Sequence, residues 1–298
     1  MLRQRIISAA CMLLALFAAA FLLPSAGILF LIMALGFLGS LEYARLLRHA
    51  SITVFTKTML AGGLLISAAA YLDLHGNGRG GLPALPPFSW EIGALLFCLI
   101  MIALQSLRRE PGPALLISAA ATLLGLVYLP FLLNFHMRLA LMEFEPAAET
   151  LIKWRVPALF PIVVVKVSDM GAYFSGRHFG GAKLCPRLSP GKTWSGFGGG
   201  LATAMLVAVC FAYFIKAPAA VLQPLWQPLP LSLCGVLLAL VGAGGDLFES
   251  FLKRATAVKD SSGVLPGMGG LLDVLDSLLF SAPIFYIMIR IATASYPS

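Results

Sequence analysis

The chain has 298 residues, of which 59% are hydrophobic and only 11% charged. A soluble domain carries about 25% charged residues and a disordered chain is richer still in polar groups, so both classes are excluded. The net charge of +8 comes from 21 basic residues scattered among apolar runs, which read as basic loops at a membrane face and not as a nucleic-acid stripe.

Runs of about 20 mostly apolar residues are long enough to cross hydrocarbon. In chain order they predict about nine spans: 6–23, 26–44, 58–74, 91–107, 114–134, 156–175, 195–215, 229–248 and 271–292. The expected fold is therefore an all-α polytopic integral membrane protein, with 1–298 as a single membrane domain. Arg3 and Arg5 before the first run resemble a signal peptide. However, Pro24-Ser25-Ala26-Gly27 leads straight into a second span, which favours a two-span hairpin. The segments 75–90 and 135–155 read as loops outside the membrane.

Basic residues choose the orientation. With the N-terminus in the cytoplasm, the inner side holds Arg3, Arg5, Arg45, Arg48, Lys57, Arg108, Arg109, Arg177, Lys183, Arg187, Lys192, Lys253, Arg254 and Lys259. The outer side holds only Arg79, Arg138, Lys153, Arg155, Lys216 and Arg290, with Lys166 inside a span. This bias predicts a cytoplasmic N-terminus and an external C-terminus. The five cysteines (Cys11, Cys98, Cys185, Cys210, Cys234) are far apart without metal-ligand spacing, so buried free thiols are expected.

The 13 acidic residues carry most of the chemistry. Five of them, Asp246, Glu249, Asp260, Asp273 and Asp276, fall close together near the C-terminus, and Asp169 lies towards the end of a span. Charges at the edge of lipid cost several kcal/mol unless paired or hydrated, and so mark sites. Asp273 and Asp276 share one helical face, and Asp246 follows the apolar run into Gly242-Ala243-Gly244-Gly245. Three carboxylates without His or Cys suit Mg²⁺. Lys253, Arg254 and Lys259 lie between the acids, and the glycine-rich 263–270 stretch runs into the helix of Asp273, where backbone N–H groups are expected to meet an anion. For Asp260, flanked by Lys259 and Ser261 in a polar loop, a solvated helix-end charge is an equal alternative to a site role.

A second concentration is Ser168-Asp169-Met170-Gly171-Ala172-Tyr173-Phe174-Ser175-Gly176-Arg177, followed by Ser189-Pro190-Gly191-Lys192-Thr193. The latter lacks the spacer and leading glycine of a phosphate-binding P-loop. Lys166, three residues before Asp169, is expected to pair with it.

These stretches resemble the phosphatidate cytidylyltransferases, or CDP-diacylglycerol synthases. The resemblance rests on Gly245-Asp246, on Ser250-Phe251-Leu252-Lys253-Arg254 with Lys259-Asp260, on Leu265-Pro266-Gly267-x-Gly269-Gly270-x-x-Asp273-x-x-Asp276-Ser277, and on the Asp169–Arg177 and Ser189–Thr193 segments. The family has His where this chain has Met268, Arg at Val274 and Glu at Ser195, which marks a divergent member.

The resemblance implies Mg²⁺-dependent transfer of CMP from CTP to phosphatidate, giving CDP-diacylglycerol and pyrophosphate, from a motif-bearing half at about 156–292. It implies Asp246, Asp273 and Asp276 as metal ligands. Asp246 and Asp273, with Lys253, Arg254 and Lys259, become catalytic residues. Asp169, Arg177, Lys192, Ser250, Asp260, Gly269 and Gly270 become substrate contacts. The partners are CTP, phosphatidate and membrane lipid, with no nucleic acid, and a homodimer is a compatible assembly. The setting is a bacterial inner membrane with the site facing the cytoplasm. Two other readings are a weakened member with another lipid-phosphate substrate, acting as scaffold or regulator, and a transporter. A transporter predicts charges in mid-span, whereas these gather at one face.

Overall fold

A computed structural model describes residues 22–75, 88–142, 151–258 and 269–294. Eight helices follow in order: α1 (Ser25–His49), α2 (Thr56–His75), α3 (Ser89–Leu107), α4 (Pro113–Ala140), α5 (Leu151–Phe179), α6 (Trp194–Phe214), α7 (Pro228–Ala255) and α8 (Leu272–Ala294). Among the described residues, all eight contain a stretch long and apolar enough to cross a membrane. They match eight of the predicted spans, and the first predicted span, 6–23, lies outside the described residues. The chain is an all-α membrane protein with one small addition. In the loop between α5 and α6, strand β1 (Lys183–Cys185) pairs antiparallel with β2 (Ser189–Thr193).

Several helix ends run past the predicted spans. α4 continues to Ala140, so Arg138 is a buried helical residue and not a loop charge. Arg155 is likewise buried within α5. α7 continues to Ala255 and carries Lys253 and Arg254 in its last turn, where cations meet the negative end of the helix dipole. Among the described cysteines all four are free, but only Cys98 and Cys234 are buried; Cys185 is half-buried and Cys210 exposed.

The chain divides into two compact units, Met1–Leu141 with Lys253–Val274, and Met142–Leu252 with Leu275–Ser298. In the first unit, small residues bring helices close. A Cβ on Gly125 would run into Met59 Sδ at 2.7 Å and the Tyr43 ring at 2.8 Å. Tyr43 is fully buried and donates its hydroxyl to Ala121 O at 3.0 Å. A π-helical turn at Val127–Phe131 surrounds Pro130, whose missing N–H and ring would otherwise break the α4 ladder.

The same unit buries an ion cluster. The Asp73 carboxylate accepts from Trp90 N at 3.0 Å and Glu91 N at 3.1 Å, closing the N-terminus of α3. Arg138 reaches Glu91 at 2.5 Å and Asp73 at 3.4 Å, and stacks on the Phe88 ring at 4.0 Å. Asn134 donates to Glu91 at 2.7 Å. These groups lie at the ends of three different helices, so the cluster fixes their mutual register.

In the second unit, α5 and α6 pack along small residues. Ser168 donates to Gly200 O at 3.1 Å, and a Cβ on Gly196 would meet Ala172 O at 2.7 Å. Thr203 and Ser175 occupy the space that side chains on Gly171 and Gly199 would need. Such small-on-small contact lets membrane helices approach closely.

Removing Arg138 leaves two buried carboxylates without their cation, a change that costs about 3–5 kcal/mol. Arg138→Leu is therefore expected to lower the thermal unfolding midpoint of the detergent-purified protein sharply. Restoring charge balance with Asp73→Asn in the same chain should recover part of the loss. An unchanged midpoint for Arg138→Leu contradicts the cluster's structural role.

Candidate active site

Asp246 and Glu249 stand three residues apart on α7 and so share a helical face. Asp276 is in the first turns of α8. One carboxylate oxygen from each of the three lies within 4.8 Å of the other two. Glycine makes this meeting possible. A Cβ on Gly245 would strike the Asp276 carbonyl oxygen and approach Phe280 at 3.0 Å, so only a residue without a side chain lets the two backbones come so close. Gly242, one turn earlier, faces Val165 and the Ser277 carbonyl in the same way.

The surroundings are mixed in charge. Lys192 extends from β2 and its Nζ lies 2.7 Å from Asp246 Oδ2 and 3.5 Å from Ala243 O. Lys166 on α5 lies 3.7 Å from Asp169, the predicted pair, and donates to Ser277 Oγ at 3.0 Å. Asp246 lies near enough to act electrostatically on both Asp169 and Asp276. The second unit thus brings the carboxylates of Asp169, Asp246, Glu249 and Asp276 together with two lysines.

The donor set fits a hard divalent cation. All three clustered ligands are carboxylates, Glu249 and Asp276 are buried, and no His or Cys shares the cluster. Opposite ligands of a Mg²⁺ ion stand about 4.2 Å apart, close to the spread found here. Glu249 was not among the residues assigned as ligands from sequence. Its spacing from Asp246 repeats that of Asp276 from Asp273, and this was the available signal.

Asp273 belongs to the first unit and has different company. Its Oδ1 lies 2.6 Å from Lys253 Nζ, and its Oδ2 accepts from Gly270 N at 2.6 Å. The preceding Gly269 has φ +91°, a conformation that favours glycine, and a side chain there would collide with Asp273. The N–H groups of Leu271 and Leu272 are accepted by Glu42 on α1, at 3.1 and 2.9 Å. Of the 263–270 stretch, whose N–H groups are expected to approach an anion, Gly270 N meets the Asp273 carboxylate.

The remaining predicted contacts are dispersed. Arg177 is exposed in the last turn of α5 and donates to Tyr173 Oη at 3.2 Å. Ser250 is half-buried on α7, one turn beyond Asp246, and Arg254 is exposed near the end of that helix. Lys259, Asp260 and Met268 lie outside the described residues. At two of the family departures the structure shows local packing: Val274 is buried, and Ser195 donates to Gly180 O at the base of the hairpin. Thr193 caps α6 by accepting from Gly196 N at 3.1 Å, which holds the strand bearing Lys192 against the helix start.

The model of the cytidylyltransferase family matches residues 3–292, nearly the whole chain. The chain belongs to the cytidylyltransferase family. Among its relatives, a phosphatidate cytidylyltransferase of Haemophilus influenzae is 43% identical over 127 residues, covering 43% of each chain. One from Bacillus subtilis is 42% identical over 132 residues, 44% of this chain and 46% of the relative. One from Pseudomonas aeruginosa is 32% identical over 275 residues, covering 80% of this chain and 96% of the relative. The matches to the first two thus span less than half of those proteins' length.

The Gly245 contact has a built-in control. Gly245→Ala forces the α7 and α8 backbones apart and is expected to cost about 1–3 kcal/mol, as overpacking does. Gly244→Ala, with no atom within 4 Å of its new Cβ, should leave the thermal midpoint unchanged or raise it, since alanine favours the helix. Equal midpoints for the two variants contradict the close approach.

Proposed function

We propose that the protein transfers the CMP group of CTP to phosphatidate, giving CDP-diacylglycerol and pyrophosphate, at a site facing the cytoplasm in a bacterial inner membrane. The observation that carries this reading is the meeting of Asp246, Glu249 and Asp276 beside Lys192 in a chain of the cytidylyltransferase family.

A phosphate oxygen of phosphatidate attacks the α-phosphorus of CTP. The bond from that phosphorus to the oxygen bridging the β-phosphate breaks, and pyrophosphate leaves with the electron pair. The nucleophile is already an anion, so no serine, cysteine or general base is needed to create it. Both reactants are negative, and the protein's task is to neutralise and align them.

Asp246, Glu249 and Asp276 are the residues that hold Mg²⁺ in this reading. When bound, the ion supplies Lewis-acid neutralisation of phosphate oxygens. Lys192, anchored through Asp246, keeps a cation beside the same carboxylates, positioned to exchange its partner for a phosphate oxygen. Lys166 holds Ser277 and balances Asp169, which keeps the two ends of the cluster in place. Lys253, Arg254, Lys259 and Arg177 are assigned to phosphate contact, and Ser250 and Asp260 to substrate contact, on the family signature alone.

Purified protein supplied with CTP, phosphatidate and Mg²⁺ should release pyrophosphate in proportion to CDP-diacylglycerol. Asp246→Asn and Asp276→Asn should each lower turnover by at least about a thousandfold, the scale of losing several kcal/mol of charge stabilisation. A folded variant that retains more than a tenth of the wild-type rate is not missing a metal ligand. No product from the wild type would favour the weakened-member reading, in keeping with Val274 and Ser195.

Orientation is tested separately. In a variant lacking the native cysteines, Ser189→Cys in β2 should react with an impermeant thiol reagent only after the cells are permeabilised. Reaction in intact cells would overturn the cytoplasmic placement.

A further inference from the structure

We infer that Glu42, in the half of the chain outside the signature motifs, is a positioning residue for the reaction, acting through the first turn of α8. The inference rests on the proposed cytidylyl transfer for its kinetic consequence, but the geometry stands without it.

A helix start leaves N–H groups unsatisfied, and a Ser, Thr, Asp or Asn immediately before the helix commonly accepts one of them. α8 is built differently. Its start is preceded by Gly269 and Gly270, which have no side chain to offer. The acceptor is a carboxylate some 229 residues earlier in the chain, on α1. Glu42 is buried, and its two oxygens divide between successive donors, Oε1 to Leu271 N and Oε2 to Leu272 N. Gly39, one turn earlier on α1, lets that helix lie close: a Cβ there would meet Leu272 Cδ2 at 4.0 Å and Leu129 Cδ2 at 3.3 Å. The apolar contact and the two hydrogen bonds fix the same turn from one side.

Asp273 follows directly. Its carboxylate accepts from Gly270 N and from Lys253 Nζ, so Glu42 is tied by hydrogen bonds to Leu271 and Leu272, and Asp273, next in the chain, is tied by its own to Gly270 and Lys253. Asp276 stands three residues further along the same helix. A shift of the first turn of α8 re-aims Asp273, which sits in that turn. A clamp of this kind adds no contact to substrate. It sets the aim of groups that make such contacts, so its loss appears in kcat more than in KM. It also fills the start of α8 with negative charge, which keeps substrate phosphate away from a helix end that would otherwise attract it.

The test uses Glu42→Gln, Glu42→Asp and Glu42→Ala in the full chain, purified in detergent. Hydrogen exchange of the peptide carrying Leu271 and Leu272 reads the clamp without reference to activity. Glu42→Ala should exchange these amides at least tenfold faster than wild type. Glu42→Gln, which keeps the length and one acceptor oxygen, should recover part of the protection. Glu42→Asp, one methylene shorter, should recover less despite keeping the charge. In pyrophosphate release, the same order is expected for kcat, with Glu42→Ala at least tenfold below wild type and KM for CTP and phosphatidate within about twofold. Unchanged protection, or wild-type kcat in any variant with lost protection, overturns the inference. If Glu42→Ala does not fold, Glu42→Gln and Glu42→Asp carry the comparison. An inactive wild type whose amides still lose protection on Glu42→Ala counts against the proposed reaction and leaves the clamp in place.

Discussion

The candidate site depends on the distance between two backbones. α7 and α8 meet where Gly245 faces the carbonyl of Asp276, and no other residue type would let them come so near. Side chains that follow from this contact, Asp246 and Glu249 on one helix and Asp276 on the other, are thereby forced into each other's reach. Like charges at such separations repel by several kcal/mol in a medium of reduced dielectric. The fold sustains the arrangement because Lys192 and Lys166 enter from the hairpin and from α5. They offset part of the negative charge.

Within each unit, polar contacts placed at helix ends tie separate segments together. The hairpin that carries Lys192 ends at Thr193, which is also the cap of α6, so the lysine is attached to a helix start and not to a free loop. The first unit uses the same device twice. Asp73 closes α3 and is itself held by Arg138, while Glu42 closes α8. In each case a carboxylate from a distant segment completes a helix terminus, and tertiary register and local helix geometry become one constraint.

The spans were legible because lipid imposes a length and an apolar composition that few other environments require. Their ends were less so. α4 and α7 continue through Arg138, Lys253 and Arg254, since a backbone can stay helical after its side chains turn polar. The carboxylates of the site could be picked out by rarity, yet Glu249 was passed over although it repeats a three-residue spacing seen nearby. Gly171 and Gly176 stand out as motif residues, and their physical role is the close packing of α5 on α6. The Gly269–Gly270 turn suggested a cradle for an anion. Its neighbouring N–H groups are taken by Asp273 and by Glu42, and no local pattern could reveal a partner so distant in the chain.

The central claim is that Asp246, Glu249 and Asp276 form one cation site. Mn²⁺, a spectroscopic substitute for Mg²⁺, can be titrated into the detergent-purified full chain and followed by electron paramagnetic resonance. The account predicts binding of Mn²⁺ that Mg²⁺ displaces, weakened at least tenfold by Glu249→Gln, a variant that removes one charge and leaves the side-chain shape. Mn²⁺ affinity equal to wild type in a folded Glu249→Gln protein would contradict it.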